Sequence, residues 1–398
     1  MNQNERKKLI GLDDVLLDGK TVLVRVDFNV AVGEDNKVDG FEDYRIVAAI
    51  PTIEELLQRR CKVILLTHLG RPGEEEGNFD LAPIRRRIEE LLGEEVKTLK
   101  TLSGPEVDAV VAGMEPGSLV MMPNVRTDER EVNASMSLAE DLAGTAEVYV
   151  NEAFSVSHRD HASVSLLPTL LPSCAGRRTV LEHEVLTALS SDPARPYVAI
   201  VSGAKVHTKV ELMDKLLEQV DQLCVGGKIA NTFLSVKNYC ADTDCEDEDM
   251  EAAKKIIQKA GDKLVLPVDV VIGPKGKEEN TVETVSVDKV PEGVGGVWDL
   301  GPKTIELYLS YCKKAKTVMW NGPVGKFEDD RYAAGTHSLA EGLSEVEARV
   351  VVGGGDTAYA LETMRLIKKF DHVSVGGGAM LAILEKGQMP GLEPLIKT

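Results

Sequence analysis

Residues 349–358 read Arg349-Val-Val-Val-Gly-Gly-Gly-Asp-Thr-Ala358. The branched apolar run predicts a buried strand. Gly353, Gly354 and Gly355 follow at once, and Asp356 and Thr357 open a helical pattern through Leu361, Met364 and Leu366. Strand, glycine turn and helix start together present free backbone N–H groups to a phosphate. Glycine lets the backbone approach such a ligand closely. Asp356 stands either where a carboxylate holds a phosphate-bound metal or where Asp caps a helix, and the segment alone leaves both open.

The same grammar recurs nearby. His372-Val-Ser-Val-Gly-Gly-Gly-Ala-Met-Leu381 is another strand, triple glycine and helix start, and Val318-Met-Trp-Asn-Gly-Pro-Val-Gly325 is a strand entering a Gly/Pro turn. Three such turns close in sequence predict loops gathered at one sheet edge, where open α/β folds bind nucleotides.

A length of 398 residues predicts two domains with sizeable cores. Aromatics are only 4%, so those cores are expected to be aliphatic. A formal net charge of −19 argues against nucleic acid as a general partner. It does not exclude a small anion, because a local basic cluster overrides the global field. The cysteines at 61, 174, 224, 240, 245 and 312 form no C-x-x-C pair. Free thiols in a reducing cytoplasm are expected, with no redox or metal motif. The N-terminus carries charges without a following apolar core, so it does not read as a secretory signal. No apolar run approaches a membrane span, so no membrane partner is expected.

In chain order, Thr21–Val26 reads as a strand leading to Asp27-Phe28-Asn29. Arg45 opens a helix with Ile46, Ala49, Ile53 and Leu57 on one face, which Pro51 bends or truly begins. That places a cation at a helix N-terminus, against the dipole, with Glu42 and Asp43 to offset it. Lys62–Leu66 leads to His68 and Arg71, Ser118–Met122 to Arg126, and Val148–Val150 to His158 and Arg159. Parallel strands put these loops on one edge. The basic residues of an acidic chain then converge into a patch for phosphate and carboxylate, both of which Arg binds bidentately.

Leu171–Arg178, with Pro172 and Gly176, reads as a break between domains, and a bridging helix is expected from about Thr179 to Ser190. The second half opens with the strand Tyr197–Val201 and then Ser202-Gly-Ala-Lys-Val-His-Thr-Lys209. Lys205 and Lys209, four apart, are read onto one face of a first helical turn, where an anion between them would relieve two unfavourable charges. Leu223–Val225 ends in Gly226 and Gly227. Asp242–Asp249 reads as an acidic surface loop, followed by the helix Glu251–Ala260. Both halves alternate strands with helices, which predicts parallel sheets covered on both faces.

These motifs resemble the phosphoglycerate kinase family along nearly the whole chain. The match rests on Arg25-Val-Asp-Phe-Asn29, His68-Leu-Gly-Arg-Pro72, Asn124-Val-Arg126, Asn151-Glu-Ala-Phe154, His158-Arg159, Gly203-Ala-Lys-Val206, Trp320-Asn-Gly-Pro-Val-Gly325, Gly353-Gly-Gly-Asp-Thr357 and Gly376-Gly-Gly-Ala379, in the family's order and spacing. The resemblance implies an α/β fold of two doubly wound, Rossmann-like parallel-sheet domains facing across a hinge-bending cleft. Residues 1–178 would bind 3-phosphoglycerate, 179–387 would bind the nucleotide, and the tail 388–398 would pack back on the first domain.

It implies reversible phosphoryl transfer between 1,3-bisphosphoglycerate and ADP, with Mg²⁺, by a cytoplasmic monomer. Carried onto this chain, Asp27 and Asn29 would hold the glycerate hydroxyl and carboxylate end. His68, Arg71, Arg126 and Arg159 would grip the 3-phosphate, and Arg45 would reach the acyl phosphate. Lys205 would stabilise the phosphoryl group in transit and Lys209 a nucleotide phosphate. Gly203, Ala204, Gly226 and Gly227 would line the adenine pocket. Asn321, Pro323 and Glu328 would border the nucleotide, with Glu328 on the ribose. Gly353, Gly354, Gly355 and Thr357 would complete the nucleotide turn, Asp356 would ligate Mg²⁺, and Gly376 and Gly377 would offer N–H groups to the moving phosphate.

The chain departs from the family's usual residues at Ala31, Pro123, Glu152, Ser202 and His207-Thr208, none of which is a proposed ligand. A nicotinamide dehydrogenase also uses glycine turns, but no G-x-G-x-x-G opens an early βαβ unit here. A nucleotide-binding scaffold that kept the fold and lost activity is the non-enzyme alternative, and the presence of Arg45, Lys205, Lys209 and Asp356 argues against it.

Overall fold

The computed structural model describes residues 7–33, 35–38, 43–70, 80–239, 245–274, 282–291 and 296–397. The chain divides into two compact units, Met1–Thr187 with Gly378–Thr398, and Ala188–Gly377.

The first unit holds six parallel strands: β1 (Thr21–Val26), β2 (Lys62–Leu66), β3 (Lys97–Thr98), β4 (Leu119–Met121), β5 (Val148–Glu152) and β6 (Ser173–Ala175). Their order is β3-β4-β2-β1-β5-β6. Alternate residues of a strand face opposite sides, and β1 shows the result. Val22, Val24 and Val26 join one core with Ile46, Ile53 and Ile84, while Leu23 joins another with Leu138, Leu142 and Tyr149. Both sheet faces are thus covered, which is why β1 is apolar almost throughout. The chain leaves β1 toward β2 on one side and returns to β5 on the other. The carboxyl end of β1 is therefore a topological switch point, where open sheets bind ligands.

The second unit repeats the architecture with β7 (Tyr197–Ser202), β8 (Gln222–Gly226), β9 (Leu264–Val265), β13 (Thr317–Asn321), β14 (Arg349–Gly353) and β15 (His372–Val373), all parallel, in the order β15-β14-β13-β7-β8-β9. Its switch point falls between β7 and β13. A smaller antiparallel sheet, absent from the sequence reading, is formed by β10 (Asp269–Ile272), β11 (Glu283–Ser286) and β12 (Val297–Leu300) in the order β11-β10-β12. It has its own small core of Leu234, Val270, Ile272 and Val287.

Several local expectations change. The helix Tyr44–Gln58 runs through Pro51, so the proline does not mark its start. Asp247–Asp249 form the first turn of the helix Asp247–Ala260 instead of a loop, a position where acids suit the dipole. The bridging helix spans Arg177–Ser191, and the units divide within it, beyond the break read at 171–178. Its N-terminus is tied to the first unit by Glu152, whose carboxylate accepts from the N–H groups of Arg178 and Thr179. The helix Gly377–Lys386 clusters almost wholly with the first unit rather than the second.

Candidate functional site

In the first unit the site is built at the carboxyl ends of β1, β2 and β4 and on the stretch after β5. Asp27 is buried, and burial alone would raise its carboxyl. His68, Arg45, the Ser155 hydroxyl and the Asn29 N–H outweigh burial and bring it down to about 2. Arg45 Nη1 donates to Asp27 Oδ2 at 3.2 Å and to the Asn29 carbonyl at 3.0 Å. Arg45 is thus balanced by Asp27, while Asp43 pairs with Arg87 at 2.7 Å and Glu42 lies outside the described residues. Asn29 Oδ1 accepts the Gly70 N–H at 2.9 Å, joining the β1 and β2 loops.

His68 is buried, and burial holds its imidazole well below its ordinary value, with Arg25, Arg126 and Arg159 adding to the effect and Asp27 opposing it. The neutral ring accepts from Arg25 Nη2 at Nδ1 over 3.2 Å, leaving the Nε2–H toward Asp27 Oδ1 at 3.6 Å. Arg25 is engaged by protein groups. Its guanidinium also donates to Ser163 Oγ at 2.8 Å and to the Val26 carbonyl at 2.6 Å, and lies 3.6 Å from buried Glu131.

Arg126 is the most telling group. Its Nη1 donates to the Gly70 carbonyl, yet Nε and Nη2 are buried without a hydrogen-bond partner among the described residues. Burial lowers this guanidinium to about 10, with Arg159 and Arg25 contributing, so it stays charged at neutral pH. His158 Nδ1 and His161 Nδ1 are likewise buried without a hydrogen bond. Buried polar atoms left this way are rare and costly. Arg71 lies outside the described residues.

In the second unit a cavity of about 280 Å³ is lined by Gly203, Ala204 and Gly227 on one side and by Pro323, Glu328 and Asp356 on others. Gly227 has φ +58, and a Cβ there would lie 2.7 Å from Ser202 Oγ, so only glycine keeps this wall open. Gly226 packs behind the wall against Val324. Lys209 folds back onto the switch point, donating to the Ser202 carbonyl and, at 2.6 Å, to Asn321 Oδ1. Asn321 is buried and supports the site from behind.

The opening stretch forms as read, β14 followed by the helix Gly355–Thr363, and Gly353 closes β14 opposite Asn321. Gly354 occupies the N-cap, so Asp356 is not the cap; it is exposed in the first turn and lines the cavity. Thr357 Oγ1 accepts the Gly322 N–H at 3.0 Å. The two triple-glycine turns meet: a Cβ on Gly377 would lie 2.9 Å from Gly354 Cα. Gly376 is buried, and its N–H points to Ser374 Oγ at 3.3 Å.

The two lysines do not share a helical turn, because the helix begins only at Val210. Lys205 sits on the exposed loop before it and donates to Glu246 Oε1 at 2.7 Å. His207, Glu246 and Asp249 bring possible metal-ligating atoms within 4.8 Å, but His207 Nδ1 and Asp249 Oδ1 are already paired at 2.8 Å. Trp298, Asp299, Lys228, Asn231 and Lys326 also line the cavity and were missed from the sequence. Asp299 accepts the Gly335 N–H at 2.6 Å, and burial raises its carboxyl to about 7. The Asp299-Leu-Gly-Pro302 turn was the signal that could have found this wall.

Residues 12–387 match the family model described as phosphoglycerate kinase. A phosphoglycerate kinase of Herpetosiphon aurantiacus is 40% identical over 387 residues, covering 96% of this chain and 98% of the relative. One of Rubrobacter xylanophilus is 41% identical over 384 residues, covering 96% and 97%. The solved phosphoglycerate kinase of Coxiella burnetii superposes with a TM-score of 0.83 at 34% identity, covering 97% of this chain and 98% of that one. That of Pyrococcus horikoshii OT3 superposes with a TM-score of 0.86 at 25% identity, with the same coverage.

Proposed function

Because the chain belongs to the phosphoglycerate kinase family, and so is a phosphotransferase of that kind, we propose the following division of labour. The first unit binds 3-phosphoglycerate or 1,3-bisphosphoglycerate, and the second binds ADP or ATP with Mg²⁺. The observation that carries the reading is Arg126, whose buried Nε and Nη2 lack hydrogen-bond partners among the described residues, beside Arg159 and Arg25 in a chain of net charge −19. A phosphate oxygen pair fits that planar fork.

In this reading Arg126, Arg159 and Arg71 hold the 3-phosphate. Neutral His68 donates from Nε2, and Asp27 with Asn29 orients the glycerate hydroxyl and carboxylate end. Asp27 keeps Arg45 extended across the site until an acyl phosphate competes for the guanidinium. Lys209 neutralises a nucleotide phosphate, and Lys205 exchanges Glu246 for the phosphoryl group in transit. The glycine turns at 353–355 and 376–377 let the phosphates approach backbone N–H groups.

Asp356, an exposed carboxylate on the cavity wall at the start of a helix, suits Mg²⁺, which takes few protein ligands and shares phosphate oxygens and waters. Bound there, the ion supplies charge neutralisation to the phosphates. The acceptor carboxylate is ionised at neutral pH, so the reaction needs positioning and charge rather than a general base. Each ligand sits on its own unit, so turnover requires them to be brought together and shielded from water. We place that flexing near 171–190. The protein is proposed to act as a cytoplasmic monomer. Among the described residues no helix is long and apolar enough to cross a membrane.

The test is ATP- and Mg²⁺-dependent phosphorylation of 3-phosphoglycerate, coupled to glyceraldehyde-3-phosphate dehydrogenase and followed by NADH loss. Turnover that vanishes without ATP or without 3-phosphoglycerate supports the assignment. A folded, nucleotide-binding sample that gives none would refute it in favour of a scaffold role.

A further inference from the structure

The cavity of the second unit has one aromatic wall, Trp298, which belongs to none of the phosphate-binding motifs. Three contacts fix its ring. Nε1–H donates to the Gly273 carbonyl at 2.9 Å. Tyr332 packs against it with centroids 6.0 Å apart and planes tilted by 37°. The Gly296 backbone lies so close that a Cβ there would come within 2.6 Å of Cε2 and Cζ2. A fourth contact is different in kind. Lys326, an exposed residue that also lines the cavity, holds its ammonium 5.3 Å from the ring centroid. A rigid π-surface is thus covered by a flexible, hydrated chain, and an exposed cation–π contact of this sort is weak.

We propose that Trp298 is the platform on which the base of the nucleotide stacks, and that Lys326 is the side chain the base displaces. The proposal rests on the assignment of this cavity to the nucleotide. Every base carries a π-face, and stacking on a fixed aromatic ring outweighs the loss of a solvated lysine contact. The ring is already locked by Gly273, Tyr332 and Gly296, so little side-chain freedom is lost on binding. The walls beside it, Ala204, Val297, Leu300 and Val324, are apolar, as the edges of a flat ring require. Trp298 is thereby a specificity residue for nucleosides over bare polyphosphates.

The chain has two tryptophans, and the other, Trp320, is fully buried with its Nε1–H on the Gly322 carbonyl at 2.8 Å. ADP is expected to change the emission of a Trp320→Phe protein, while inorganic tripolyphosphate at equal occupancy is not. Should Trp320→Phe fail to fold, the same comparison between wild type and Trp298→Leu isolates the Trp298 signal. Trp298→Leu is expected to raise the KM for MgATP by roughly tenfold or more, with the KM for 3-phosphoglycerate unmoved. Trp298→Phe should recover most of the loss, and Lys326→Ala should lower the MgATP KM, because the base then has no side chain to displace.

Equal emission changes from ADP and tripolyphosphate, or an unmoved MgATP KM in Trp298→Leu, would overturn the stacking while leaving the nucleotide assignment intact. A wild-type protein that binds no ADP would overturn both.

Discussion

Replacing Arg126 by Met separates a ligand-binding arginine from a structural one. Among the described residues the side chain makes one hydrogen bond, from Nη1 to the Gly70 carbonyl, and leaves Nε and Nη2 buried without partners. A buried donor left unmade costs about 1–3 kcal/mol, whereas the Gly70 bond contributes about 1 kcal/mol. Removal of the guanidinium also relieves its repulsion with Arg159 and Arg25. The unliganded variant should therefore melt no lower than wild type, and somewhat higher if the two donors carry their full cost. Binding should move the other way. Two charge-assisted bonds to a phosphate, each about 1.5–3 kcal/mol, sum to about 3–6 kcal/mol. At 1.4 kcal/mol per decade this is roughly a 10²- to 10⁴-fold loss of affinity. The assay is a titration of 3-phosphoglycerate by calorimetry or initial rates, alongside thermal unfolding with and without ligand. Arg126→Lys, which keeps the charge but not the fork, should fall between. An affinity within about threefold of wild type, less than 1 kcal/mol by the same conversion, would refute the reasoning. So would a melting temperature several degrees lower, since Arg126 would then be holding the loop rather than awaiting an anion.

Arg45→Ala should lower kcat by roughly 10³-fold, the scale of transition-state arginines, with nucleotide affinity nearly unchanged; stopped-flow turnover and ADP titration check the two halves separately. Asp356→Asn should shift the Mg²⁺ activation curve to higher concentration, and superimposable curves would remove the metal assignment. The Asp27 carboxyl lies at about 2 when folded against 3.8 when unfolded, a depressed acid, so its stabilisation is present above pH 4 and is lost as the pH falls toward 2. The advantage of wild type over Asp27→Asn in denaturant unfolding should accordingly shrink by about 2 kcal/mol between about pH 5 and pH 2. An advantage that does not vary with pH would show Asp27 to be no more tightly paired when folded than when unfolded.

Much of the first-unit site is legible because parallel strands have a fixed geometry. Once Thr21–Val26, Lys62–Leu66 and the stretch before Asn124 read as neighbouring parallel strands, Asp27, His68 and Arg126 must emerge at one edge. The glycine turns are legible for a similar reason, since backbone that must lie against backbone, as at Gly354 and Gly377, admits no Cβ. What was illegible depends on partners distant in sequence. Asp269 caps the helix Pro302–Cys312 through the N–H groups of Lys303 and Thr304, and that contact anchors the antiparallel sheet, yet neither end signals the other. The Trp298–Lys326 contact is hidden in the same way. Lys205 and Lys209 do not share a helical turn, although their spacing suits one, because Gly203 and a 3₁₀ turn delay the helix to Val210. Asp356 was undecidable by pattern, since a metal ligand and a cap begin a helix alike; Gly354 at the cap position excludes the cap, and the metal role is the one proposed above.

The tail has a consequence for engineering. Residues near the two termini lie side by side: Leu9 bridges Ile396, Lys397 N–H donates to the Lys8 carbonyl at 2.8 Å, and Lys397 Nζ reaches Asp14 Oδ2 at 2.7 Å. Asn151 holds the same tail through the Gly391 carbonyl at 2.9 Å. Topologically, the second unit is an insertion within the first. Residues 8 and 397 can therefore be joined by a short linker and new ends opened in an exposed loop, giving a circular permutant that keeps every strand pairing of the three sheets. Deleting residues 391–397 should do the opposite, unfastening the first sheet's edge at β6, against which the 393–395 turn packs.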